Sequence, residues 1–106
     1  MALAGFREFV TRFPALELAP DAQYGIGESL FAESHFDSAA TAYALVDSLY
    51  PKSGKAPAAL YKRALSEEKL GHTAESRAHL EELVKRFPLS GEAQLARERL
   101  GTGRRR

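Results

Sequence analysis

The chain has 106 residues, enough for one domain, and its 44% hydrophobic and 27% charged residues are typical of a folded globular protein. It contains no cysteine, which excludes disulfides, thiol nucleophiles and thiolate metal sites. Three of the 15 positive charges are the terminal residues Arg104, Arg105 and Arg106, which leaves 12 positive against 14 negative charges in the rest. That balance lacks the basic excess of a nucleic-acid binder.

No apolar run approaches the roughly 20 residues that span a bilayer, and the N-terminal segment lacks the apolar region of a signal peptide. We therefore predict no membrane insertion. The three terminal arginines are interpreted as a disordered basic tail, residues 104–106, rather than as a phosphate-binding arm.

The N-terminal segment predicts an amphipathic helix over residues 2–13, which Pro14 ends. A second helix is expected to begin between Leu16 and Pro20, since proline is tolerated in the first turn of a helix. Its apolar face should carry Ala19, Ala22, Ile26 and Leu30, with Tyr24 and Phe31 on the neighbouring face.

The polar segment 34–37 separates this helix from the next, which ends at Pro51. The buried stripe of that third helix is predicted to be Phe36, Ala39, Ala40, Tyr43, Val46 and Tyr50. Ser53 is the expected N-cap of a fourth helix, and Gly71 is expected to end it. The apolar residues of the fourth helix are Ala56, Ala59, Leu60, Ala64 and Leu70.

A fifth helix is predicted from Thr73 to Pro88, with Ala74, Leu80, Leu83, Val84 and Phe87 apolar. Ser90 should cap a last helix whose inward residues are Ala93, Ala96 and Leu100, and Gly101-Thr102-Gly103 should unravel it. No segment alternates with a period of two over the length of a strand. The chain is thus predicted to be all-α, with about six helices.

A pair formed by an aromatic residue and a proline recurs in steps of 37 residues, as Phe13-Pro14, Tyr50-Pro51 and Phe87-Pro88. Other positions follow the same step, including Ala22, Ala59 and Ala96. A constant period of this size indicates stacked repeats. We predict one repeat domain over residues 1–103, which divides into a half repeat 2–14, repeats 15–51 and 52–88, and a closing helix 89–101.

Within each unit, small residues fall where the two helices must approach each other. Gly27 and Ala64 share one column of the first helix, and Ala39 and Ser76 share one column of the second. Each unit has two helices with these small residues, an aromatic residue late in the second helix and a proline at its end. This pattern resembles the tetratricopeptide repeat, whose step is usually about 34 residues. The resemblance implies a right-handed superhelix of antiparallel helix hairpins with a non-catalytic role in protein binding.

The longer step and the run Tyr-Pro-Lys-Ser-Gly-Lys-Ala-Pro at 50–57 resemble the C-terminal domain of the family of the Tol-Pal system protein YbgF, also called cell division coordinator CpoB. The resemblance covers residues 2–100. It implies a periplasmic scaffold that links the Tol-Pal machinery, through TolA, to peptidoglycan-synthesis proteins during envelope constriction. Arg63 and Glu67 depart from it by standing where apolar residues are expected, one turn apart, so that they could pair with each other.

Two alternatives stay open beside this interpretation. One is a structural module that holds subunits together, and the other is an outer-membrane assembly protein of the BamD kind. By resemblance, the latter has more repeats and a lipidated cysteine.

No catalytic residue, metal site or cofactor is predicted. No nucleophile has a base at a recognisable spacing, and Gly25-Ile26-Gly27 lies inside a helix pattern instead of following a strand. His35 and His72 stand one unit apart in turns, and no two histidines have the i, i+4 spacing of a zinc site.

The predicted binding site is a groove on the inner face, which the first helices of stacked hairpins line. By the repeat register its residues are Asp21, Tyr24, Glu28, Phe31, Tyr61, Lys62, Leu65, Lys69 and Glu98. Tyr24, Phe31 and Tyr61 are aromatic anchors of the kind enriched at binding hot spots. The alternative is that Tyr24 and Tyr61 are half-buried packing residues.

The helix over residues 2–13 is the second half of a unit whose first half is absent from the chain. Its apolar face therefore has one partner where internal units have two. Exposed apolar patches of this kind mark interaction surfaces. We predict homo-oligomerisation, or exchange of end helices, through Phe6, Phe9, Val10 and Phe13.

Overall fold

The computed structural model describes residues 19–104, including the side chains of residues 19–101, and this part of the chain contains five helices and no strand. They are α1 (Pro20–Ala32), α2 (Phe36–Leu49), α3 (Ala56–Lys69), α4 (Thr73–Arg86) and α5 (Gly91–Arg104). The all-α prediction is confirmed. The predicted helix over residues 2–13, with Phe6, Phe9, Val10 and Phe13, lies outside the described residues.

Consecutive helices pack against each other, and α3 also packs against α5. Short turns at residues 33–35 and 70–72 join α1 to α2 and α3 to α4, so that each pair forms a hairpin. Stacking the hairpins gives an elongated body of 47 × 27 × 17 Å. Arg86 of α4 also contacts Asp47 of α2 through two hydrogen bonds of 2.8 Å, which link the second helices of the two hairpins.

The core consists of two clusters of buried side chains that share α3. The first contains Ile26, Leu30, Ala39, Ala42, Tyr43, Val46 and Ala59, and the second contains Leu60, Ala64, Leu80, Leu83, Ala96 and Leu100. Because neighbouring residues Ala59 and Leu60 belong to different clusters, α3 packs on the hairpin before it and on its own partner α4. Each hairpin is therefore stabilised by the next, as in other stacked repeats.

The predicted apolar face of α1 is partly wrong. Ala19 and Ala22 are exposed, although the equivalent residues of the second hairpin are fully buried against α2. The side chain of Gln23 is buried instead, at 3% exposure, and its Nε2 donates a hydrogen bond of 3.1 Å to the carbonyl oxygen of Ala42. A buried amide is tolerated here because this bond satisfies it.

Four further apolar predictions differ from the structure. Leu70 and Ala74 are exposed, while Phe36 and Tyr50 are only half-buried. All four lie at or next to a helix end, where the neighbouring helix no longer covers the side chain. Val84 and Phe87 are half-buried as well, and the other residues predicted for the buried faces of α2 to α5 are buried.

The helix ends follow local sequence in some places and not in others. Ser90 caps α5 as predicted, because its Oγ accepts a hydrogen bond of 3.0 Å from the amide of Ala93. Ser53 does not cap α3; its Oγ accepts from the amide of Lys55 within the preceding turn, and the helix begins at Ala56. The predicted end of α5 at Gly101 is also wrong, since the helix continues to Arg104.

The ends of α1 and α3 share one geometry, in which the residue after the C-cap has a positive φ. Gly71 adopts φ 82° after α3, and Ser34, 37 positions earlier, adopts φ 64° after α1. In both turns the next amide donates back to a carbonyl five residues earlier, from His35 to Leu30 and from His72 to Glu67, each at 2.9 Å. Glycine suits this conformation because it has no Cβ, whereas serine is strained in it.

Replacing Ser34 with glycine is therefore expected to raise the free energy of unfolding by about 0.5–1 kcal/mol. The reverse exchange at the equivalent position, Gly71→Ser, is the matched control and should lower it by about the same amount. Chemical denaturation of the two variants checks this. A Ser34→Gly protein less stable than the wild type would show that the strain lies elsewhere.

Small residues occupy the helix crossings as predicted. Gly27 of α1 faces the ring of Tyr43 of α2, and Ala64, Ala39 and Ser76 are buried at the other crossings. An ideal Cβ on Gly27 would lie 2.6 Å from Cε1 of Tyr43. The crossing in the first hairpin thus pairs Gly27 with the large ring of Tyr43. The equivalent crossing in the second hairpin pairs Ala64 with the smaller side chain of Leu80.

Candidate functional site

The first helices of the repeats, α1, α3 and α5, lie side by side in a constant register. Lys55 Nζ lies 5.0 Å from the ring centroid of Tyr24, and Lys62 Nζ lies 4.2 Å from that of Phe31. Arg99 of α5 donates to the carboxylate of Glu68 of α3. In all three pairs the residues are 31 positions apart, so each first helix presents a cation to the helix before it.

Glu28 connects the two layers of the first hairpin. Its Oε1 accepts a hydrogen bond from the phenol of Tyr43, which is fully buried, and lies 3.4 Å from Lys62 Nζ. Burial, followed by this hydrogen bond to Glu28, raises the pKa of Tyr43 far above its usual value of about 10. The phenol therefore stays protonated and holds the carboxylate toward the inner side of α1 and α3.

Tyr24 and Phe31 each pack against another aromatic ring and remain partly exposed. The rings of Tyr24 and Tyr43 are 5.6 Å apart, and those of Phe31 and Phe36 meet edge to face at 5.1 Å. Both Tyr24 and Phe31 stay half-buried. Burial, and then the charges of Glu28 and Glu92, raise the pKa of Tyr24 to about 12, so it too is a neutral hydrogen-bonding group at physiological pH.

We call the surface formed by Tyr24, Glu28, Phe31, Lys55 and Lys62 the inner face. Four of its five residues belong to the predicted groove. Of the other predicted groove residues, Asp21, Lys69 and Glu98 are exposed, and Tyr61 and Leu65 are half-buried. Tyr24 packs against the first core cluster and Tyr61 against the second, as the alternative interpretation of both as half-buried packing residues expects.

Lys55 and Tyr43 also border the groove, although neither was predicted from the sequence to do so. A signal for Lys55 was present, because Lys55, Lys62 and Lys69 follow one another at intervals of seven residues, which places them roughly on one side of α3 about 10 Å apart. Tyr43 carried no such signal, since it belongs to the buried stripe of α2 and reaches the inner face only through its hydroxyl group.

Arg63 and Glu67 do not form the ion pair that their spacing suggested. Glu67 Oε1 instead lies 2.8 Å from Nδ1 of His72, and the Nε of Arg63 is shielded from solvent without a hydrogen-bond partner. Burial, followed by the nearby charge of Arg63, lowers the pKa of His79. These polar residues lie between the helices, away from the inner face.

Within residues 19–104, no group of three histidine, cysteine, aspartate or glutamate side chains is arranged to hold a metal ion. In the same part of the chain, no helix combines the length and apolarity needed to cross a bilayer.

Two segments of the chain match a known protein family. A family model described as the tetratricopeptide repeat matches residues 21–53 and again residues 58–90. The two matched segments begin 37 residues apart, which is the step of the aromatic–proline pairs, and together they cover more than half of the chain. A search of curated proteins finds no match.

Proposed function

Because the chain belongs to the tetratricopeptide repeat family, we propose that it holds a segment of a partner protein along the inner face without catalysing a reaction. Repeats of this family generally mediate protein–protein interaction. The observation that supports this site is the pair of half-buried rings, Tyr24 and Phe31, each covered by a lysine ammonium group.

A bound partner can displace the lysine side chains from the two aromatic rings. A cation over an aromatic ring at a partly exposed site contributes only about 0.5–1 kcal/mol, so side chains of a partner can displace it at small cost. The rings then supply flat apolar contact area, while the released ammonium groups and Glu28 can pair with charges of the partner. Apolar residues flanked by charges of both signs are the partner chemistry that this surface fits.

Exchanging Lys62 and Lys69 for alanine is expected to weaken capture of the partner at least tenfold, because it removes two steering charges from α3. Lys85→Ala is the matched control, since Lys85 is an exposed lysine on the second helix α4. Affinity capture from an envelope extract followed by quantitative mass spectrometry measures both. Equal recovery with wild type, double variant and control would reject the inner face as the binding site.

We further propose, from the resemblance of the 50–57 run to the family of YbgF and CpoB, that the partner belongs to the Tol-Pal system in the periplasm. Titration of the chain with TolA from the same organism tests this directly. Absence of binding to TolA, together with capture of other proteins that depends on Lys62, would refute the Tol-Pal assignment and keep the binding face.

A second proposal is association between copies at the N-terminal end of the stack. It is supported by Ala22, which is exposed although its equivalents Ala59 and Ala96 are fully buried against a preceding helix. Small residues at that column are suited to close helix packing. Light scattering should give a mass above that of the 11.6 kDa monomer at high concentration, and a strict monomer would contradict the proposal.

A further inference from the structure

The middle repeat breaks a column that its neighbours keep apolar. Ile26 in α1 and Leu100 in α5 are 5% and 7% exposed, and the equivalent residue of α3 is Arg63. One turn later, the buried Leu30 of α1 corresponds to Glu67. A leucine or isoleucine would pack here, so two charged residues in succession point to a role other than packing.

The charge of Arg63 has no counter-ion among residues 19–104. Its one-turn neighbour Glu67 is bonded to His72 through one carboxylate oxygen, Oε1, and the shielded Nε of Arg63 has no acceptor. A guanidinium group carries five donors in a planar fork that matches a carboxylate, and leaving the shielded Nε donor unpaired is unfavourable. The fold therefore maintains a cation whose anionic partner it does not supply.

Arg63 lines a cavity of about 290 Å³ between α2 and α3, at the low end of the volumes that ligand pockets have. Asp37 and Glu67 contribute two carboxylates to its wall, the latter with its bonded His72, while Thr41 adds a hydroxyl group. The apolar surface comes from Ala40, Ala44 and Leu70. Asp37 and Leu70 are themselves exposed, so the cavity opens to solvent at the end of α3. One carboxylate oxygen of Asp37, Oδ1, accepts a hydrogen bond from the backbone amide of Ser38.

These charges select the kind of ligand. A simple anion would meet Arg63 but would be repelled by Asp37 and Glu67, and a simple cation would meet the carboxylates but would be repelled by Arg63. A molecule that carries a negative and a positive charge a few ångströms apart can pair with Arg63 and with the two carboxylates at the same time. The alanine and leucine surface leaves an apolar wall for the remainder of that molecule.

We propose that the cavity between α2 and α3 binds a small zwitterion of the α-amino acid class with an aliphatic side chain. Its carboxylate pairs with the guanidinium of Arg63, its ammonium group lies between Asp37 and Glu67, and its side chain packs on Ala40, Ala44 and Leu70. The site is separate from the inner face, so it does not depend on the function proposed above.

Leucine is the probe, with two analogues that each lack one charge. N-acetyl-leucine keeps the carboxylate and leucinamide keeps the ammonium group. Titration of the chain while NMR spectra of its amides are recorded should show saturable binding of leucine with a Kd of about 1 mM, typical of so small a ligand. Both analogues should bind at least tenfold more weakly, since each leaves one side of the cavity unpaired.

Arg63→Met should abolish the leucine response, and Arg77→Met is the matched control, because Arg77 of α4 does not line the cavity and should leave binding unchanged. The fold of Arg63→Met is checked by thermal unfolding, and it should melt at or above the wild-type temperature because Ile26 and Leu100 fill the same column. Asp37→Asn should weaken leucine binding at least threefold while preserving the fold.

Three results would each overturn the proposal. They are the absence of saturable shifts with leucine, binding of either analogue as tight as that of leucine, and a leucine response that persists in folded Arg63→Met. Inorganic phosphate is included as a plain oxyanion, and tighter binding of phosphate than of leucine would also reject a zwitterion site.

Discussion

Gly27→Ala is expected to lower the free energy of unfolding by about 1–3 kcal/mol, the range for forcing an extra methyl group into a packed core. The new Cβ would lie 2.6 and 2.7 Å from Cε1 and Cδ1 of Tyr43. The ring cannot move aside cheaply, because it is fully buried, packs against Tyr24 and is bonded to Glu28 through its hydroxyl.

Gly25→Ala is the matched control, two residues earlier in the same helix. No atom lies within 4 Å of the position that its Cβ would take. Alanine is favoured over glycine inside a helix by about 0.5–1 kcal/mol, so this variant should be more stable than the wild type. The two exchanges are therefore expected to change the free energy of unfolding in opposite directions, although each adds the same methyl group.

The second repeat supplies a rescue for Gly27→Ala. At the equivalent crossing it combines Ala64 with Leu80, both buried in one cluster. In a Tyr43→Leu background, Gly27→Ala should consequently be neutral or stabilising, and a double-mutant cycle by urea denaturation measures the coupling. The same loss of stability from Gly27→Ala in both backgrounds would show that Tyr43 is not the obstacle.

At alkaline pH the stability is expected to fall by up to about 1.4 kcal/mol per pH unit for each tyrosine that must stay protonated in the fold. Burial raises the pKa of Tyr43 and of Tyr24, the latter to about 12, above the value of about 10 in the unfolded chain. Their stabilising contribution is fully present below pH 10 and is lost as the pH rises through the folded pKa. Tyr24 should contribute less than Tyr43, because its ring is partly solvated.

Tyr43→Phe separates this effect from other alkaline titrations. Below pH 9 it should be less stable than the wild type by about 1–2 kcal/mol, since it loses a hydrogen bond to a carboxylate. Above pH 10 only the wild type loses stability because the Tyr43 phenol must stay protonated in the fold. The difference in the free energy of unfolding should therefore shrink, and the stability curves of the two proteins should cross near pH 11–12.

Urea denaturation from pH 7 to 12 provides the measurement. Tyr61→Phe, which removes a phenol that is not bonded to Glu28, is the control and should retain the wild-type slope. Parallel curves for wild type and Tyr43→Phe up to pH 12 would contradict the buried Tyr43–Glu28 bond.

The periodicity of the chain was sufficient to predict the repeat architecture. The step of 37 residues, the prolines after Tyr50 and Phe87 and the glycine at 71 act through backbone geometry within a few residues, so they can be read without knowledge of the fold. Small residues at 27, 39, 64 and 76 likewise identified the helix crossings, because close approach of two helices excludes large side chains there.

Other features could not be read in this way. The register of 31 residues that places Lys55 over Tyr24 and Lys62 over Phe31 depends on the position of α3 relative to α1. That position is fixed by the packing of both helices against α2. The burial of Gln23 depends equally on a carbonyl group 19 residues away. Propensity and spacing describe one helix at a time and contain no information about such partners.

The sequence by itself determined the all-α repeat, the approximate positions of the five described helices and four of the five residues of the inner face. Only the tertiary structure decided which of these side chains meet, and that Arg63 remains unpaired beside a cavity although Glu67 lies one turn away. The physical reason is the range of the interactions. Helix periodicity, caps and turns are local along the chain, whereas ion pairs, ring contacts and cavities arise between residues that are distant in sequence and are set by the packing of whole helices.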